Sequence, residues 1–121
     1  MAKEIFAGLP KAIRIGPYDY GVDLVAHLSN DDWGQYSHSG SWIKIRIDHP
    51  TPPMGLDTVW HEVSHGIFAF FNLGATPELA EAEEKIVSAF GTGLAMISID
   101  NPSLLTWIQK LGESVRRERG S

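Results

Sequence analysis

The spacing of apolar residues changes near Pro50, and this change constrains the fold more than any other feature of the sequence. Before Pro50, short runs alternate apolar with polar residues, the period of two that is typical of half-buried strands. After Pro50, apolar residues recur at three- and four-residue spacing, which is typical of amphipathic helices. The sequence therefore predicts an α+β fold, with a small antiparallel sheet of about three strands followed by three helices.

The predicted strands occupy residues 11–16, 20–28 and 41–48. The last is the clearest, because Ile43, Ile45 and Ile47 alternate with Trp42, Lys44 and Arg46 and can form a core face. Residues 29–40 have the composition of turns and are expected to form a long exposed loop.

The first helix should bury a stripe made by Leu56, Val59, Val63, Ile67 and Phe70, and should end at residues 72–74 with Gly74 in a left-handed cap. Thr76 is expected to cap the second helix, with Pro77 first. That helix should run to about Ile99, with its inward side chains at Leu79, Ile86, Val87, Phe90 and Leu94. Asn101 and Pro102 should start the third helix. A polar tail is expected from about residue 113, frayed over residues 116–121.

Length and composition exclude several classes of protein. The 121 residues predict one domain, 1–121, and the net charge of −5 provides no basic surface for nucleic acid. The chain has no cysteine, so it can form neither disulfides nor thiolate metal sites. No apolar run has the length of a signal peptide or a membrane span, which predicts a cytoplasmic protein without a membrane partner.

The motif "HEVSH" carries the chemistry. His61 and His65 lie four residues apart, so a helix directs both imidazoles from one face towards a shared Zn²⁺. Glu62 lies at the edge of that face, where it can act as general base on a water molecule at the metal. The alternative is a structural helix face with two satisfied histidines and a solvated glutamate. A third ligand decides between the two interpretations.

Glutamates of the second helix are candidates for that ligand: Glu78, Glu81, Glu83 and Glu84. In an antiparallel hairpin Glu84 lies seven residues after Pro77, level with His65, which lies seven residues before Asn72. The face of Glu84 continues as Ser88, Gly91 and Ala95, and the first helix has Gly66, so the two backbones can approach closely. These observations favour Glu84 over Glu83 and leave Glu83 as the alternative.

The other histidines, His27, His38 and His49, are expected to be ordinary strand-end or loop residues. A peptidase also needs a donor for the oxyanion of its tetrahedral intermediate. Tyr36 and His38, on the predicted loop, are candidates, and Trp42 is a candidate substrate contact.

"DTVWHEVSHGIF" followed by "EEKIVSAFGTGLAMISIDNP" resembles the small HExxH metallopeptidase domains of bacteriophages and prophages, and is similar to the broader ImmA/IrrE-type group of gluzincins. The resemblance implies a zincin-like fold with one zinc ion held by His61, His65 and Glu84, and Glu62 as general base and proton shuttle. Val87, Ser88 and Phe90 match the pattern that follows the third ligand in that group, although Val87 is bulkier than the usual alanine. The resemblance also implies that an edge strand beside the metal, here 42–47, pairs with an extended substrate.

The sequence thus predicts a zinc metallopeptidase that acts on a peptide or protein in a bacterial host or phage-infected cell. One alternative is a metal-stabilised regulatory or protein-binding module with little hydrolytic activity, which acts through a protein partner or a fusion domain. Another is a zinc hydrolase that acts on a non-peptide bond, such as a cell-wall cross-link amide.

Overall fold

The structure, a computed structural model, describes residues 5–120 and has the predicted α+β architecture. Its strands are β1 (Ala12–Ile15), β2 (Tyr18–Val25), β3 (Gly34–Ser37) and β4 (Trp42–Arg46). Its helices are α1 (Pro52–Phe70), α2 (Pro77–Asp100) and α3 (Pro102–Glu118), and short 3₁₀ turns lie at Ser29–Asp31 and Leu73–Ala75.

The sheet is mixed rather than wholly antiparallel, and it has four strands in the order β1-β2-β4-β3. β1 pairs antiparallel with β2, and β3 antiparallel with β4, whereas β2 and β4 are parallel. The parallel pair arises because residues 29–40, predicted as a loop, contain β3, which reverses the chain before β4. β4 is consequently an internal strand, so the prediction that 42–47 is an edge was wrong; β3 is the edge on that side.

β4 places its isoleucines as the alternation predicts. Ile43 and Ile45 are completely buried, and they join Phe6, Ile15, Tyr20 and Val22 in the core beneath α1. On the opposite face the Lys44 ammonium lies 4.3 Å from the centre of the Trp42 ring. The core face of the sheet thereby fixes α1, the helix that carries the HEVSH motif.

The α1–α2 hairpin forms as predicted, with a different residue at its turn. Thr51 caps α1 by accepting a hydrogen bond from the Met54 amide. Asn72, with φ of 51°, takes the left-handed conformation that was expected at Gly74, and asparagine tolerates this region better than most residues. α2 then begins after Thr76 with Pro77.

α3 begins at Pro102 as predicted, whereas the outer face of α2 and the C-terminal end of α3 differ from the prediction. Val87 is buried as expected, but the Phe90 side chain is 63% exposed, and Ile67 and Phe70 of α1 also lie at the surface. α3 continues to Glu118 instead of fraying from residue 116, and it contains no buried residue. Within residues 5–120, no helix combines the length and apolar character needed to span a membrane.

Candidate metal centre

α1 presents His61 and His65 from one face, one turn apart. Their ring centres are 5.0 Å apart with an interplanar angle of 69°, and both side chains are about four-fifths buried. The neighbouring positions fix this orientation, because Val63 packs into the core beside the sheet while His61 and His65 face α2. The motif therefore lies on a helix anchored on its opposite side.

α2 brings Glu84 to both histidines. Its Oε1 lies 2.7 Å from His61 Nε2, and its Oε2 lies 3.3 Å from His65 Nε2. One possible ligand atom from each residue lies within 4.8 Å of the other two. Two imidazole nitrogens and one carboxylate oxygen fit a three-residue zinc site that leaves a coordination position open. The predicted ligand set is thus assembled by the fold.

A glycine makes this approach of the helices possible. A Cβ atom at Gly91 would lie 2.9 Å from both the backbone nitrogen and the Cα of His61, closer than real side chains come. The prediction of close contact through small residues is confirmed at Gly91. It was wrong for Gly66, which faces the sheet and would collide with Ile15 if it carried a side chain.

Glu83 occupies a different position from Glu84. Its Oε2 lies 2.7 Å from His65 Nδ1, on the other side of the same ring. His65 can donate its Nδ1 hydrogen to Glu83 while Nε2 faces Glu84. A carboxylate at this position fixes the tautomer and orientation of a ligating histidine. Glu83 is therefore placed to support a ligand, and Glu84 completes the three-residue set.

Glu62 is buried between α1 and the edge strand β3. A Cβ atom at Gly34 would lie 2.9 Å from Glu62 Oε2, so only glycine leaves room for the carboxyl group there. Burial raises the pKa of Glu62 to about 8, and the negative charges of Glu84 and Asp32 add to this effect. A cation on the adjacent ligands would act in the opposite direction and favour the carboxylate.

These residues line a cleft of about 800 Å³ between β3 and the two helices. Five carboxylates contribute to its walls, from Asp32, Asp57, Glu62, Glu83 and Glu84. Among the described residues that line the cleft, none is a lysine or an arginine. Asp57 is held by the Thr92 hydroxyl, which donates to its carboxylate at 3.0 and 3.2 Å. The resulting negative potential favours a bound cation.

The three candidate substrate contacts lie in different environments. Tyr36 and Trp42 line the cleft, and the Tyr36 ring stacks on His65 at an interplanar angle of 11°. His38 is not among the lining residues; its Nδ1 lies 2.8 Å from the Tyr20 hydroxyl and 3.3 Å from that of Tyr36. Burial, with the nearby Tyr20, raises the pKa of Tyr36 well above its ordinary value, so its hydroxyl stays protonated.

His49 is a structural residue that the sequence interpretation assigned to a loop. It is 1% exposed, and its Nδ1–H donates to the Arg46 carbonyl at 2.6 Å. The Thr58 hydroxyl donates to its Nε2 at 2.8 Å. Burial lowers the pKa of His49, which keeps the ring neutral. His27 is exposed, in agreement with its predicted position at a strand end.

Two contributors from the predicted loop were missed in the sequence, namely Gly34 and Asp32. Both lie in residues 29–40, where turn composition concealed a short strand beside the motif. The clue was "WGQYS", in which Trp33, Gln35 and Ser37 alternate with Gly34 and Tyr36.

Comparison of the chain with protein-family models, with curated proteins and with solved structures gives no match. Any functional conclusion therefore rests on the geometry of this site.

Proposed function

We propose that this protein is a zinc-dependent metallopeptidase. The observation that carries the proposal is the convergence of His61, His65 and Glu84 on one point, with the buried Glu62 carboxyl beside them. A structural helix face would not need three ionisable side chains from two helices within 4.8 Å of one another. The support is geometric and chemical.

The donor set favours zinc over harder cations. Magnesium and calcium prefer oxygen ligands, whereas two imidazoles with one carboxylate suit zinc. His61, His65 and Glu84 would hold the ion. Bound there, zinc supplies a Lewis acid that polarises the scissile carbonyl group and acidifies water.

Glu62 is proposed as the proton carrier. As a carboxylate, it takes a proton from the attacking water, and as a carboxylic acid it delivers this proton to the leaving amine nitrogen. Its position under Gly34 shields it from bulk water and leaves its carboxyl at the cleft. Glu83 holds His65 through Nδ1 and thereby fixes one wall of the site.

The edge strand β3 is proposed to bind the substrate. It pairs with β4 along one side only, so its other side offers main-chain groups to an extended peptide. This moves the expected substrate pairing from 42–47 to Gly34–Ser37. Trp33 and Trp42 line the same cleft and provide flat apolar surfaces for side chains of the peptide. The protonated hydroxyl of Tyr36 is the candidate donor to the oxyanion.

Glu62→Gln tests the proposal. The variant should hold one zinc ion per chain like the wild type, and its turnover of a mixed peptide library should fall by at least about a hundredfold, because proton transfer by a positioned group contributes about that much or more. Glu81→Gln, an exposed substitution on α2, is the matched control and should keep full turnover. Full turnover by Glu62→Gln would disprove the assigned role.

The exposed apolar side chains of α3 favour one second candidate, a metal-stabilised binding module. Removal of zinc by a chelator distinguishes the two functions, because structural sites contribute folding free energy outright. Inactivation of a still folded protein supports the peptidase. Unfolding on chelation, together with no hydrolysis of diverse peptides by the zinc-loaded protein, supports the module.

A further inference from the structure

α3 packs only slightly against the rest of the described chain. It spans 17 residues, none of which is buried, and its Trp107 side chain is 60% exposed. Its contacts with the rest of the described chain are few and are mainly with α2. Most helical stability in proteins comes from packing of an amphipathic face rather than from intrinsic propensity. A helix of this kind therefore needs a partner for its apolar side.

The apolar side of α3 is a narrow stripe formed by Leu104, Ile108, Leu111 and Val115, which we call the α3 stripe. Its residues are spaced by four, three and four positions, the spacing of a helix–helix seam. All four side chains are exposed. At 1.5 Å per residue the stripe is about 16 Å long.

α2 carries a second stripe of the same design, formed by Ile86, Phe90, Gly93 and Ile97, which we call the α2 stripe. Its spacing is again four, three and four, so its length equals that of the α3 stripe. Phe90 and Ile97 are exposed, and the stripe lies on a different side of α2 from the buried Val87, Gly91 and Ala95. A Cβ atom at Gly93 would contact nothing within 4 Å, which leaves a gap between Phe90 and Ile97.

The two stripes do not pack against each other within one chain. Asn101 alone connects α2 to α3, and antiparallel helix hairpins need connections of about two to five residues. We propose that the α3 stripe of one copy packs antiparallel on the α2 stripe of a second copy, forming a two-fold symmetric dimer in which the contact occurs twice. The gap at Gly93 would then receive Ile108, as a knob enters a hole.

Charge favours a second copy in this direction. Residues 78–85 of α2 contain four glutamates and one lysine, a net charge of −3. Two of these glutamates, Glu83 and Glu84, face the histidines of α1, and Glu78 and Glu81 are exposed. Residues 110–119 contain one lysine, three arginines and two glutamates, a net charge of +2. Antiparallel packing brings the basic end of α3 alongside the acidic start of α2 and also opposes the two helix dipoles.

The first test is the mass of the wild-type protein by sedimentation equilibrium between 1 and 200 μM. We expect a species of twice the 13.3 kDa chain mass. Ile97→Glu and Ile108→Glu should each weaken the dimer by at least about tenfold, because each places a charge in an apolar seam. Met96→Glu, one residue from Ile97 and off the stripe, is the matched control and should leave the dimer intact.

Circular dichroism of each variant tests whether it is folded, and Ile108→Glu changes a side chain that is exposed on α3. A wild type that is monomeric at 200 μM overturns the proposal. If that monomer binds anionic phosphatidylserine vesicles, the apolar stripes contact a membrane surface rather than a second copy. A dimer that survives both stripe substitutions also overturns it.

The absence of cysteine allows the register to be tested by disulfide formation. Antiparallel packing aligns Ile86 with Val115, and parallel packing aligns Ile86 with Leu104. We therefore expect a copy with Ile86→Cys to cross-link to a copy with Val115→Cys, and not to a copy with Leu104→Cys. The reverse result overturns the antiparallel arrangement. Neither result depends on zinc or on hydrolysis, so the dimer and the proposed activity can fail independently.

Discussion

Two groups of histidine side chains pack at α1, and the fold uses them in different ways. His49 precedes the helix and lies against Thr58, with both ring nitrogens in neutral hydrogen bonds and with the rings of Phe6 and Trp33 around it. One turn further along, His61 and His65 face carboxylates. Burial is greater at His49, yet only His61 and His65 are arranged to bind a cation.

The difference shows that the partners of a histidine, rather than its burial, indicate a ligand. His49 donates to a carbonyl and accepts from a hydroxyl, so a neutral ring satisfies both nitrogens. The Nε2 atoms of His61 and His65 face the carboxylate oxygens of Glu84. When Nε2 carries no hydrogen, its lone pair and the carboxylate oxygens are all electron donors, and a cation between them can bind to all of them. His49 already has a hydrogen-bond partner at each nitrogen and does not need a cation.

The largest expected effect comes from removing the shared carboxylate. Glu84→Gln should lower the zinc affinity by more than about a hundredfold, since it removes a side chain that we propose as a direct ligand, and even outer-shell partners contribute about 10–100-fold. Competition with a chromogenic chelator measures this affinity. Glu78→Gln, on the same helix and exposed, should bind zinc like the wild type. Equal affinities of Glu84→Gln and the wild type would remove Glu84 from the ligand set.

His49→Ala should destabilise the fold and leave the zinc affinity nearly unchanged. It leaves the Thr58 hydroxyl and the Arg46 carbonyl without their partner and opens a cavity between Phe6 and Trp33. We expect a loss of about 2–4 kcal/mol in the free energy of unfolding, measured by urea denaturation. The zinc affinity of the folded variant should stay within about threefold of the wild type, below the effect of an outer-shell partner. A larger loss of affinity would mean that His49 takes part in the metal site.

Glu83→Gln should have a smaller effect than Glu84→Gln on the same measurement. The amide can still accept from His65 Nδ1 but lacks the charge that strengthens the bond, so we expect a decrease of about tenfold in zinc affinity. The stoichiometry should remain one ion per chain. If Glu83→Gln weakens binding more than Glu84→Gln does, the two glutamates have exchanged roles.

Much of this arrangement could be predicted from the sequence, because local periodicity determines it. The α1–α2 hairpin, the position of Glu84 opposite the motif and the buried isoleucines of β4 all follow from counting residues along regular elements. The requirement for glycine at position 91 follows from the same count, since its face continues that of Glu84.

What could not be predicted depends on one short strand and on contacts between separate segments. β3 has only four residues, and turn composition outweighs its brief alternation, so neither its hairpin with β4 nor the resulting parallel contact of β2 with β4 was predicted. The role of His49 depends on Thr58, nine residues away, and on Trp33 from the β2–β3 connection. Phe90 looked like a core residue because periodicity cannot tell one apolar side of α2 from another.

The smallest expected effect is a pH dependence of stability that comes from His49. Burial holds the pKa of His49 in the folded protein below its ordinary value of 6.5, although Asp48 and the Arg46 carbonyl oppose this shift. As the pH falls below 6.5, the unfolded chain takes up a proton at this residue before the folded protein does, so stability decreases with acidification. The same group therefore contributes most above pH 6.5 and progressively less below it.

His49→Gln removes this titration and leaves the other ionisable groups in place. We expect the free energy of unfolding, measured by urea denaturation from pH 7.5 to 5.0 in the presence of a chelator, to decrease more steeply for the wild type than for His49→Gln. The difference between the two curves isolates His49, because all other ionisable groups are the same in both proteins. Parallel curves would mean that His49 protonates equally well in the folded protein, and the contrast between a neutral anchoring histidine and a cation-binding pair would then lose its electrostatic basis.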